Sequence, residues 1–144
     1  MKIQEIMTPN PACCAPETSL RDVARLMVEH DCGEIPVLRD GRPVGVITDR
    51  DITARAVAAG RNPLDTKASE CMSSPVITVS PDTNVNDCCD TMEEHQIRRI
   101  PVVDESGSCC GMVSQADIAK HASAKKTAQV VKEVSKSTSE SASM

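Results

Sequence analysis

The chain has 144 residues, 40% hydrophobic and 26% charged, with a net charge of −5 at neutral pH. This suits one soluble domain or two small ones sharing a core, and it argues against a nucleic-acid-binding surface, which needs a basic excess. No apolar run approaches the ~20 residues of a membrane span, and Met1-Lys2-Ile3-Gln4-Glu5 lacks the apolar core of a signal peptide, so a cytoplasmic protein is expected.

In chain order, a short strand is expected at Ala12 to Ala15. A helix follows, capped by Ser19, with Asp22 three positions on. Its Leu20, Val23, Ala24 and Met27 recur at i, i+3, i+4 and i+7 and form one apolar face. His30 sits at the helix end, where it favours the C-terminus rather than a metal. Next comes a hairpin: Ile35-Pro36-Val37-Leu38 turns through Arg39-Asp40-Gly41-Arg42 into Val44-Gly45-Val46-Ile47. A closing helix is expected from Asp49 to Ala59, stopped by Gly60. Arg61 to Lys67 reads as a linker.

The chain then repeats itself. At a spacing of 65 residues, Glu5 returns as Glu70, Met7 as Met72, Asp22 as Asp87, Met27 as Met92, His30 as His95 and Ile35-Pro36-Val37 as Ile100-Pro101-Val102. One residue is inserted in the turn around Ser106-Gly107, after which Gly45 returns as Gly111. The expected organisation is one repeat over residues 1–60, a linker over 61–67, a second repeat over 68–123, and a weak helix with a disordered Ser-rich tail over 124–144. A strand is expected at Val76 to Val79. Val85, Cys88, Cys89 and Met92 take the helix face of Leu20, Val23, Ala24 and Met27.

The chain has eight cysteines and no Phe, Tyr or Trp. Aliphatic side chains and cysteines must therefore fill the core and sandwich any planar ligand, and aromatic base stacking is excluded. Six cysteines lie in adjacent pairs, Cys13-Cys14, Cys88-Cys89 and Cys109-Cys110, and none in C-x-x-C, so the usual zinc and thioredoxin spacings are absent. Buried packing is the simplest role for them.

Two stretches carry the chemistry. Gly45-Val46-Ile47-Thr48-Asp49-Arg50-Asp51 and Gly111-Met112-Val113-Ser114-Gln115-Ala116-Asp117 each read as a buried strand that ends in a hydroxyl residue, with a carboxylate three positions on. Such a carboxylate can accept hydrogen bonds from both hydroxyls of a ribose, and backbone N–H groups at a helix start favour anions. Thr48 with Asp51, and Ser114 with Asp117, also fit a capping box. Spacing alone leaves both roles open.

The duplicated β-α-β-β-α unit with G-h-h-[S/T]-x-x-D, together with Glu5-Ile6-Met7-Thr8-Pro9 and Arg99-Ile100-Pro101-Val102-Val103-Asp104, resembles the cystathionine-β-synthase (CBS) domain pair, or Bateman module, over about Lys2 to Ser123. The resemblance implies an α+β fold of two small mixed sheets about a pseudo-twofold axis with helices outside. It also implies two clefts for adenosine compounds: AMP, ADP, ATP, NAD or S-adenosylmethionine. In that family a basic residue before the Ile-Pro-Val strand of one unit faces phosphates held by the other. Arg98 and Arg99 would then serve the cleft of Thr48, Arg50 and Asp51. Glu34 would repel phosphate at the cleft of Ser114 and Asp117, where Lys120 and His121 are the nearby cations.

The expected function is a non-catalytic regulatory module binding an adenosine nucleotide, with no obligatory cofactor, metal or nucleic acid, that signals in trans to an effector protein. A homodimer is expected, because the family pairs modules through exposed helices and the closing helix carries Ile52, Ala56, Val57 and Ala59. Two alternatives stand beside this: a thiol-based redox or metal sensor, and an interaction protein with vestigial clefts.

Overall fold

The structure is a computed structural model and describes residues 1–121 and 123–136. Its elements are β1 (Thr8–Pro9), α1 (Leu20–His30), β2 (Glu34–Arg39), β3 (Arg42–Thr48), α2 (Asp49–Ile52), α3 (Ala68–Cys71), α4 (Val85–His95), β4 (Arg99–Val103), β5 (Cys109–Ser114), α5 (Gln115–His121) and α6 (Ala124–Val134). The fold class is α+β, as expected. Two compact units interleave the sequence repeats. A first-repeat unit holds Asn10–Ile77 and Val103–Cys110, and a second-repeat unit holds Met1–Pro9, Thr78–Val102 and the chain from Gly111 onward.

In the first-repeat unit, Ser19 Oγ accepts the Asp22 N–H at 3.2 Å and starts α1. Leu20, Val23 and Met27 are buried on its inner face. They pack with Ile35, Val37 and Ile47 of the antiparallel β2–β3 hairpin and with Ala56, Ala68 and Cys71. Burial of each large aliphatic side chain contributes about 1.5–3 kcal/mol. The hairpin turns on Asp40 and Gly41, both at positive φ (53° and 79°), which matches the right-handed strand twist. Carbonyls of the segment 61–67 satisfy N–H groups at the start of α1: Leu20 donates to Thr66 at 2.9 Å and Arg21 to Pro63 at 3.2 Å.

The second-repeat unit has the sheet order β1-β5-β4. Its α4 buries Val85, Cys88, Cys89 and Met92, the positions expected from the repeat. The weak helix expected near the end is α6. Ser123 caps it, and it packs Val130 and Val134 inward. The tail expected to be disordered falls largely on residues 137–144, outside the described residues.

Three local expectations change. The strands at Ala12–Ala15 and Val76–Val79 reduce to single parallel bridges, Cys14 to Val37 and Val79 to Val102. Prolines 11, 16, 75 and 81 lie in or beside these segments and cannot donate to a ladder. The closing helix is regular only over α2 and continues as a π turn over Thr53–Val57, in which Ala58 N–H donates to Thr53 O at 2.8 Å. Gly60, at φ 74°, follows it. Two short helical turns, Ile3–Glu5 and α3, were not expected. Glu5 and Glu70 start them by accepting the backbone N–H of Lys2 (2.6 Å) and Lys67 (2.7 Å).

These two turns set a methionine over each glycine of the Gly-h-h-[S/T] strands. A Cβ built on Gly45 would lie 2.6 Å from Met72 Sδ and 3.0 Å from Ser73 O; one built on Gly111 would collide with Met7 Sδ and come within 3.2 Å of Thr8 O. Backbone pairing fixes the approach, through Val46 with Ser73 in one unit and Thr8 with Met112 in the other. Gly45→Ala is therefore expected to lower stability by about 1–3 kcal/mol through overpacking. Adding Met72→Ala should recover part of that loss, as a non-additive term in denaturant unfolding of the two single variants and the double variant.

Candidate functional site

The first corner forms where β3 ends. Thr48 is still extended (φ −108°, ψ 163°), and the chain turns into α2 immediately after it. Asp51 N–H donates to Thr48 Oγ1 and Thr48 N–H donates to Asp51 Oδ2, both at 3.0 Å. This is a complete capping box, so that role is realised. The Asp51 side chain is only 14% exposed, and its Oδ1 lies 3.9 Å from Arg55 Nε. Arg55 Nη1 in turn donates to the carbonyls of Cys71 (3.1 Å) and Met72 (3.0 Å). Arg50 is exposed on the first turn.

Sequence reasoning missed Arg55. Its signal was the i, i+4 spacing from Asp51, which puts the two side chains on one helix face. The segment at residues 71–72 that anchors it is far away in sequence.

The second corner repeats the design with differences. Ser114 N–H donates to Asp117 Oδ2 at 2.9 Å, Ser114 Oγ donates to the same oxygen at 3.0 Å, and Asp117 N–H donates to Ser114 Oγ at 3.2 Å. His121 stands at the repeat position of Arg55. Gln115 N–H donates to Arg98 O at 2.8 Å, as Asp49 N–H does to Gly33 O at 3.0 Å. Each strand that follows α1 or α4 is thereby tied to the corner of its own unit.

The structure thus brings Thr48, Arg50 and Asp51 together in the first-repeat unit and Ser114 and Asp117 together in the second. Arg98 and Arg99 belong to the second-repeat unit, Arg98 exposed and Arg99 half-buried at the start of β4. Glu34 is buried and pairs with Thr48 across the hairpin. His30 and His95 end α1 and α4, as expected. The regular α2 spans four residues, too short for a strong dipole, so attraction for an anion must come from arginine side chains.

In each box the carboxylate keeps acceptor capacity. It has about four lone-pair positions, and the box at Asp51 uses one on Oδ2. A part-buried carboxylate of this kind can hold a diol without giving up its cap.

The cysteines take another role. Cys14, Cys71, Cys88 and Cys89 are buried. Burial pushes the thiols of Cys14 and Cys88 up to about 12 and raises that of Cys89, which disfavours the reactive thiolate. Among the described residues no three His, Cys, Asp or Glu side chains come together as a metal site, and no helix is long and apolar enough to cross a membrane.

Comparison with known proteins agrees with this architecture. The family model described as the CBS domain matches residues 3–57 and again 68–124. The CBS domain-containing protein YhcV of Bacillus subtilis is 37% identical over 117 residues, covering 81% of this chain and 82% of that protein. Hypoxic response protein 1 of Mycobacterium tuberculosis is 35% identical over 132 residues, covering 91% and 92%. Among solved structures, CBSX2 in complex with AMP matches with a TM-score of 0.73 at 27% identity, covering 84% of this chain and 95% of that one. The CBS domain pair of protein MJ0100, in complex with 5′-methylthioadenosine and S-adenosyl-L-methionine, matches with a TM-score of 0.75 at 27% identity, covering 83% and 94%. With both of its repeats matched by the one family model, the chain belongs to the CBS domain family, as a tandem pair.

Proposed function

We propose that the chain is a non-catalytic regulatory module that binds an adenosine-containing ligand through its Asp51 corner and passes the binding state to an effector protein in the cytoplasm. One observation carries this: the duplicated hydroxyl–aspartate corners hold part-buried carboxylates with acceptor capacity to spare, and among the described residues the first is braced by an arginine, Arg55. The structures solved with AMP and with S-adenosylmethionine support the ligand class. In this reading Asp51 accepts the ribose hydroxyls, Thr48 adds its hydroxyl, and Arg50, Arg98 and Arg99 meet the phosphates. The Ser114 and Asp117 corner is the weaker of the two. A ligand acts by preferring one arrangement of the protein over another. The homodimer belongs to the same proposal.

A thermal-shift panel of AMP, ADP, ATP, NAD and S-adenosylmethionine identifies the ligand, since native-state binding raises the melting temperature by mass action. Calorimetry then tests the site. Asp51→Ala should cost about 1–3 kcal/mol of the tightest binding, the value of a lost charged hydrogen bond. Arg99→Ala should weaken AMP and ATP more than adenosine, because only phosphate needs its paired donors. Asp117→Ala should matter less. If Asp117→Ala abolishes the tightest binding while Asp51→Ala spares it, the corners are reversed. If neither matters, the boxes serve only as caps.

The thiol-sensor alternative has its own measurement. Buried, protonated cysteines should react slowly with a thiol reagent in the native protein and fast once it is unfolded. Rapid native reaction at Cys14, Cys88 or Cys89 would favour the sensor.

A further inference from the structure

The two corners hold their carboxylates by different means. Asp117 is held from inside its own box, where the backbone N–H and the hydroxyl of Ser114 both donate to Oδ2, at 2.9 and 3.0 Å. Asp51 Oδ2 takes the Thr48 N–H at 3.0 Å, and its Oδ1 faces Arg55 Nε at 3.9 Å. That separation is an ion contact, beyond hydrogen-bond length. Arg55 therefore orients the carboxylate by charge and leaves the lone pairs of Oδ1 to another donor. Its Nη1 is spent elsewhere, on the carbonyls of Cys71 and Met72.

Two further features single out this arginine. It lies in the π turn Thr53–Val57, and such widened turns are rare and frequent at functional sites. The second-repeat unit has instead the α-helix α5 over Gln115–His121, with His121 at the repeat position of Arg55. The segment that Arg55 grips also returns to the same corner. Ser73 N–H donates to Val46 O at 2.8 Å and Val46 N–H to Ser73 O at 3.1 Å, two residues before Thr48. Asp51, Arg55, residues 71–73 and β3 thus close a ring of contacts inside one compact unit.

We propose that Arg55 is the positioning residue of the Asp51 corner: it presents Oδ1 to the ribose hydroxyls of the ligand and couples occupancy of the corner to residues 71–73. This rests on the ligand reading above and adds the route by which that site is regulated. A neutral diol donating to Oδ1 keeps the carboxylate charged and Arg55 in place. Ligand and the Arg55 contacts then favour the same arrangement, and such coupling is reciprocal. The arginine acts through Asp51 and not on the phosphate.

Calorimetry on the full chain with adenosine and with AMP tests the positioning role, and amide hydrogen exchange tests the coupling. Arg55→Gln should weaken adenosine and AMP by the same factor, about tenfold, because both use the diol acceptor. Arg55→Lys keeps the cation and should lose less. In the wild type, saturating AMP should slow exchange at the Ser73 amide. In Arg55→Gln at equal occupancy it should protect the amides of Thr48 and Asp51 but not that of Ser73. A merely structural arginine would instead speed Ser73 exchange with and without AMP and leave the added protection intact, which overturns the coupling. Weakened AMP with unchanged adenosine makes Arg55 a phosphate ligand and overturns the positioning role, as do unchanged affinities for both. If Arg55→Gln does not fold, the wild type decides, since AMP without effect at Ser73 overturns the proposal. A wild type that binds neither adenosine nor any ligand of the thermal-shift panel overturns the ligand reading itself, a result distinct from all of these.

Discussion

The structure depends on two places where a methionine side chain and the backbone beside it crowd a strand so closely that a Cβ could enter only if they shifted. At Gly45 and Gly111 a strand carries no Cβ, and the chain that pairs beside it lays a methionine over the gap. The methionine comes from the other repeat in each case: Met72 covers Gly45 and Met7 covers Gly111. The short turns that deliver them must leave their own repeat for this, which is why Met1–Pro9 belongs to the second-repeat unit and the segment around α3 to the first. Methionine suits the task, since its flexible thioether fills irregular gaps.

The same crossing shapes the first corner. Arg55 braces the Asp51 side and is itself held by the carbonyls of Cys71 and Met72. The residue covering Gly45 and the residues anchoring Arg55 are therefore one short piece of chain. Asp51 is linked through one ion contact and the two hydrogen bonds of Arg55 to the start of the second repeat, at Cys71 and Met72. Asp117 has no such brace from a repeat-equivalent arginine, and its Oδ2 instead takes both the backbone and the hydroxyl of Ser114. Duplication supplied two similar corners, and differences that include Arg50 against Ala116 and Arg55 against His121 make their surroundings unlike.

The core shows how an aromatic-free sequence still packs. Small side chains at Cys88 and Cys89 occupy the positions of Val23 and Ala24, and all but Ala24 are fully buried. Where a cysteine replaces an aliphatic residue in the same repeat position, packing accounts for it without redox chemistry. The outer faces diverged further. Asp90 and Glu93 hold Lys126 of α6, whereas Arg25 and Val28, at the matching positions, line a trough in the described structure.

Much of this was legible in the residues alone. The duplication, the α1 and α4 faces, both hairpins and both hydroxyl–aspartate corners follow from local spacing, because helix period, turn residues and caps act over three or four positions. Even the packing role of Cys88 and Cys89 could be read from the register of the repeat. Three things could not be. The flanking strands at Ala12–Ala15 and Val76–Val79 shrank to bridges because their pairing depends on partners distant in sequence and on donors that proline lacks. The brace at Arg55 needs carbonyls contributed by residues 71 and 72, which no local pattern connects to it. The exchange of Met7 and Met72 between repeats is a matter of which backbone lies beside which glycine. Local spacing determined what each segment would form, and only tertiary contact decided which repeat each segment would serve.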